Sequence, residues 1–233
     1  MRNIISSTLW VAFCLPLLVA IPEAAFAIPA ITCHCFTDRS YDPARPTLAD
    51  PYFLASTQNS FMAAVFSADK KEIVVKKQTG TASDDLWIAY WIASNGRSLT
   101  PDAVLRAYQG KKNWPDTISV LGIPTKNLGA RFSSALKSNP SSGRLSDAIV
   151  DELLIRYRMQ NETELAALRK EHGTNQEIIL ASFIAIKSRQ PASLLLQDVK
   201  RGSRSWGAVL DSIKLGPHEI QNEMSALVKR SSS

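Results

Sequence analysis

Residues 86–123 constrain the fold more than any other stretch, because they come back. They read as a helix without a polar face (LWIAYWIASNG), a proline-started helix (PDAVLRAYQG) and a third helix opened by Trp114 (WPDTISVLGI). Ninety-two positions later the chain writes IILASFIAIKS, LLLQDVKRG and WGAVLDSIKL. A helix that is apolar all round has no side to turn to water, so it must be enclosed by neighbours. Two such helices predict two helical centres, and the fixed shift predicts that they belong to related units.

At that shift the identities are Glu72/Glu164, Ala89/Ala181, Ile92/Ile184, Ala93/Ala185, Arg97/Arg189, Gly110/Gly202 and Trp114/Trp206. The Gly-x-x-x-Trp pair and the shared apolar pattern carry the prediction of a tandem duplication. Trp87 and Trp91 lie one helical turn apart, where they could stack a ligand, and Trp114 and Trp206 could anchor a partner. Tryptophans at helical spacing are more often core, and that is the expectation for all four.

The chain opens with Arg2, an apolar run over 9–21 broken by Pro16, and the small-residue close Ala25-Phe26-Ala27. This is the pattern of a signal peptide over 1–27 cleaved after Ala27. The run falls short of the ~20 residues a membrane-spanning helix needs, so the expectation is a secreted or periplasmic protein with no membrane segment after cleavage. Cleavage removes Arg2 and Glu23, one charge of each sign, so the formal net charge of +6 belongs to the remainder. Its Lys and Arg occur as scattered pairs, such as Lys70-Lys71, Lys76-Lys77 and Lys111-Lys112, the pattern of solvated helix faces.

Removal of Cys14 leaves Cys33 and Cys35 around His34. In an oxidising compartment the pair is expected to form a disulfide, strained because it closes around a single residue. The competing use of Cys33-His34-Cys35 is a redox dithiol or a soft-metal clip for Cu or Zn, since thiolate and imidazole suit those ions. The remaining histidines, His172 and His218, stand alone, so no other cofactor is predicted.

Residues 28–50, with Pro29, Pro43 and Pro46, read as an extended arm whose Phe36, Tyr41 and Leu48 pack on the body. A helical half follows over 51–137. Its expected pieces are a helix over 52–67; an Asp69-x-x-Glu72 capping box opening a short helix with Ile73, Val74 and the Lys77 stem inside; and a Ser83-capped helix over 84–95. Thr100-Pro101 starts the next, Gly110 ends it, and a last helix spans 125–137. Residues 138–145 (SNPSSGRL) read as a linker, and 146–230 as the second half. Without β-type alternation anywhere, the class is all-α.

The second copy, LLLQDVKRG followed by WGAVL, resembles uncharacterised secreted bacterial proteins that carry a helical LRxxGxxWGxI-type repeat. That resemblance implies export and helix packing and brings no activity with it. The first copy departs from it at Pro115, where the second has Gly207. Residues 113–132 are separately similar to a helix-turn-helix whose second helix would hold Lys126 and Arg131. An exported chain does not meet DNA, so no nucleic acid is expected as partner.

The motifs of serine hydrolases, zinc proteases, phosphate loops and dinucleotide sites are missing. The paired Asp84 and Asp85 are explained by the positive end of a helix dipole. The expected function is a non-catalytic binding or assembly factor whose partner is a protein or envelope component. Its site would be a groove between the halves lined by exposed aromatics.

Overall fold

The computed structural model describes residues 36–96, 98–138 and 140–231, and these form twelve α-helices with no strand among them. Helix α3 (Ser83–Asn95) follows from its composition. With no polar face it is enclosed, and each residue from Leu86 to Ile92 is at most 6% exposed. Its counterpart α9 (Asn175–Ser188) buries residues 178–184 in the same way, opened by a capping box between Thr174 and Glu177.

Around them run α1 (Asp50–Phe66), α2 (Lys70–Gln78), α4 (Pro101–Lys111), α5 (Trp114–Val120), a 3-10 turn (Thr125–Leu128) and α6 (Ala130–Ser138). The order then repeats as α7 (Ser142–Arg156), α8 (Glu162–Lys170), α10 (Ala192–Lys200), α11 (Trp206–Ser212) and α12 (Pro217–Ser231), with α9 between α8 and α10. The starts of α1, α2, α3 and α5 recur 92 residues later as those of α7, α8, α9 and α11. The packing is reciprocal as well. Helix α1 lies on α9 and α12, and α7 lies on α3 and α6, so each half gives its first helix to the centre of the other. The halves are therefore distinct in sequence only, and one apolar cluster draws on both.

Several local expectations need correction. Gly110 does not end its helix: α4 continues to Lys111, and Lys112 takes the left-handed conformation at φ 57°. A lone glycine costs a helix about 1 kcal/mol, too little to stop it. Gly202 does follow its helix, at φ 72°, so the two glycines differ in role although the tryptophans agree. Ser83 is the first residue of α3 and Ala82 its N-cap, because the serine hydroxyl is drawn to Gln58 instead. Asp69 caps α2 through the Lys71 amide at 2.8 Å, but Glu72 turns to Lys76 and no box closes.

The expected helix over 125–137 is split by Gly129, whose φ of 83° suits glycine alone. The linker over 138–145 shrinks, since α6 includes Ser138 and Ser141 caps α7. Leu145 is fully buried. What reads as low complexity is a helix start. In the arm, Phe36 meets Tyr52 edge-on at 5.8 Å, and a Cβ added at Gly207 would stand 2.9 Å from Tyr41. That close approach accounts for glycine where the first half has proline. Leu48 is 42% exposed and does not join the packing.

Candidate functional site

Helix α1 carries five consecutive polar residues, Ser56, Thr57, Gln58, Asn59 and Ser60, all at most 2% exposed. Enclosure between α9, α12 and α2 explains their burial. Buried polar groups cost free energy unless bonded, so their partners define the chemistry of this region. The Lys77 ammonium, itself buried, donates to Gln58 Oε1 at 3.1 Å and Asn59 Oδ1 at 2.6 Å. The same Gln58 oxygen accepts from Ser83 Oγ at 3.2 Å and, across the halves, from Gln176 Nε2 at 3.1 Å. Burial pulls Lys77 down to about 8, against the opposing pull of Asp84.

The second half has a matching pair at the 92-residue shift, with Arg169 for Lys77 and Asp151 for Asn59. Arg169 donates to Asp151 Oδ1 at 2.6 Å, to Asp147 Oδ1 at 3.2 Å and to Asn175 Oδ1 at 2.7 Å. Burial raises the Asp151 carboxyl more than Arg169 lowers it. Asn175 then donates to Ser146 Oγ at 3.2 Å, and Ser146 to Asp84 Oδ1 at 2.7 Å. The two networks thus meet at the N-termini of α3 and α9.

Above this meeting point opens a cleft of about 1020 Å³, floored by Gln58, Asp84, Asn175 and Gln176 and walled by α6, α7 and the α8–α9 turn. Arg131 on the α6 wall is ion-paired with Glu152 and Glu162. Arg144, Ser134 and His172 stand exposed on the walls. Donors and acceptors held by buried partners lose little freedom when a ligand binds, and this favours recognition of a polar ligand.

Among the described residues no Phe, Tyr or Trp lines the cleft, contrary to the expected aromatic groove. Trp87, Trp91, Trp114 and Trp206 are at most 2% exposed, so they are core, and stacking on a ligand is ruled out for them. Trp91 Nε1 donates to the Leu128 carbonyl at 2.9 Å. Trp114 stacks on Tyr108 at 4.1 Å and donates to Ser142 Oγ at 2.9 Å. The amides of Trp206 and Gly207 donate to Asp50 at 3.1 and 2.8 Å. Asp50 precedes Ser142 by 92 residues, so each half's tryptophan segment is tied to the first helical residue of the other half.

Lys126 lies in the 3-10 turn and Arg131 in α6, on opposite sides of Gly129, so they share no recognition helix. Cys33, His34 and Cys35 lie outside the described residues. Among the described residues, no group of three or more His, Cys, Asp or Glu side chains could hold a metal ion, and no helix is long and apolar enough to cross a membrane. Sequence reasoning put the Lys77 stem inside but missed what its ammonium holds, and it missed Asn59, Asp151, Arg169 and Asn175. The signal was present, since a cation recurs at 77/169 and an acceptor at 59/151 under the same shift as the tryptophans. No family model, curated protein or solved structure matches the chain.

Proposed function

We propose that the chain is an exported binding or assembly factor, made of two copies of one helical unit, that holds a polar segment of a protein or envelope component in the junction cleft. The observation that carries this reading is the fixed polar floor contributed by both halves at Gln58, Asp84, Asn175 and Gln176. Its volume, about 1020 Å³, is at the upper end for a small-molecule pocket and suits an extended peptide-like segment. Walls carrying Arg144, His172 and Asp147 favour a ligand with amides and charges of both signs. The carboxylates nearest the floor are occupied, Asp147 and Asp151 by Arg169 and Asp84 by Ser146, which favours recognition over proton transfer. Export rests on the cleavage pattern ending at Ala27 and on the resemblance to secreted helical repeat proteins.

The test is a photo-activated cross-linker placed at Ser134 or Arg144 in the cleft, or at exposed Gln109 on α4 as control, in the full chain expressed in its native envelope. One common species labelled from both cleft positions and absent from Gln109 supports the proposal. Equal labelling from all three positions refutes it.

A further inference from the structure

A second cavity, of about 510 Å³, shares no lining residue with the cleft. Lys70, at the start of α2, projects into it with its ammonium partly buried, donating to Ser56 Oγ at 3.1 Å and Gln221 Oε1 at 3.4 Å. Both acceptors are neutral, and among the described residues Lys70 makes no ion pair. An ammonium has three N–H donors, so one remains for a ligand. Burial alone lowers Lys70, to about 8, with no carboxylate opposing it.

The other half supplies an internal comparison. The residue 92 positions after Lys70 is Glu162, also the first residue of its helix, and it is ion-paired with Arg131 on α6. On the Lys70 side, the residue 92 positions after Arg131 is Glu223, and that carboxylate is taken by Lys187. The charge at this position is therefore neutralised within the chain in one half and left without a counter-ion in the other. The rest of the cavity tells which anion fits. Lys71 and His218 add donors on the rim, while Val74, Val75 and Tyr52 form an apolar wall, with Val75 45% exposed. Arg39 and Asp69 also line the cavity, one charge of each sign, so it is the apolar wall that selects an anion with a hydrocarbon body.

We infer that this cavity binds a small organic monocarboxylate, its carboxylate on Lys70 and its apolar body against Val74 and Val75. The bound carboxylate neutralises Lys70 as Arg131 neutralises Glu162 at the matching position of the second half.

The probe is hexanoate, titrated into the full chain labelled with ¹³Cε-lysine and followed by NMR. The Lys70 signal is expected to move saturably, with its titration shifted back toward the ordinary lysine range, while neutral hexanamide leaves it unmoved. Binding is expected to weaken at least tenfold in Lys70→Gln and in Val75→Glu. The second variant alters only an exposed wall residue, and it decides the matter if Lys70→Gln does not fold. An unmoved Lys70 signal, undiminished binding by Val75→Glu, or inorganic phosphate binding as tightly as hexanoate would overturn the assignment.

Discussion

Lys77→Met removes the buried ammonium that holds Gln58 and Asn59 and leaves a side chain of similar length in the same space. The ordinary lysine value of 10.5 falls to about 8 in the folded protein. Between those values the unfolded chain keeps a proton that the native state has released, so stability rises with pH through this window and is lowest below 8. Each tenfold loss of proton affinity on folding is worth about 1.4 kcal/mol, so at pH 7 the charged lysine costs about 3 kcal/mol. Moving to about pH 9.5 recovers about 2 kcal/mol of that cost. Methionine has no proton to lose, so this recovery disappears. Its absolute stability at pH 7 changes less, because Asn59 Oδ1 is left without its donor at a cost of about 1–3 kcal/mol. Lys70 titrates in both proteins and cancels in the comparison. Tyr90, pushed up to about 12 chiefly by burial, has its effect above pH 10, where it lowers stability. Urea unfolding followed by tryptophan fluorescence at the two pH values gives the number directly. If the variant gains as much stability as the wild type between them, the reasoning about Lys77 is wrong.

Trp206→Ala empties a fully enclosed site and is expected to cost about 3–5 kcal/mol in chemical denaturation, with Trp114→Ala similar; a loss below about 1 kcal/mol would contradict the burial. Ile92→Lys and Ile184→Lys each place an unpaired charge in the core of a central helix, so both should unfold near or below room temperature, and wild-type melting of either would remove that helix from the centre. Replacing Cys33 and Cys35 together by Ser should leave the thermal midpoint within a few degrees, because a one-residue loop constrains little chain. Thiol titration and metal analysis of the purified protein complete that test: stoichiometric Cu or Zn, or a dithiol whose loss abolishes the cellular phenotype, would move the function to Cys33-His34-Cys35.

The all-α class and most helix starts could be read from the sequence because their causes are local. Thr100-Pro101 and the opening Trp114-Pro115 mark starts within one turn of chain. The burial of 86–92 was equally legible, since a helix with no polar face has only one stable environment. The polar run of α1 was not. Residues 56–60 put polar groups all round one turn of α1, and their burial makes sense only once Lys77 arrives from α2 and Gln176 from α9, which nothing within one turn announces. The same limit explains Ser83, a good capping residue diverted by Gln58, and the apparent linker, whose Ser142 joins Trp114 to Asp85. The 92-residue shift did hold the answer for the cleft, but only when applied to Lys77/Arg169 and Asn59/Asp151 as well as to the tryptophans.

Affinity capture from the native envelope with two forms of the full chain, wild type and Ser134→Trp, tests the proposed role most directly. Ser134 is exposed on the α6 wall, so an indole there fills the cleft from outside and leaves the core untouched. The expected result is that the species held by the wild type is lost from Ser134→Trp while helical content and thermal midpoint stay the same. Equal recovery of that species by both forms would contradict binding in the cleft.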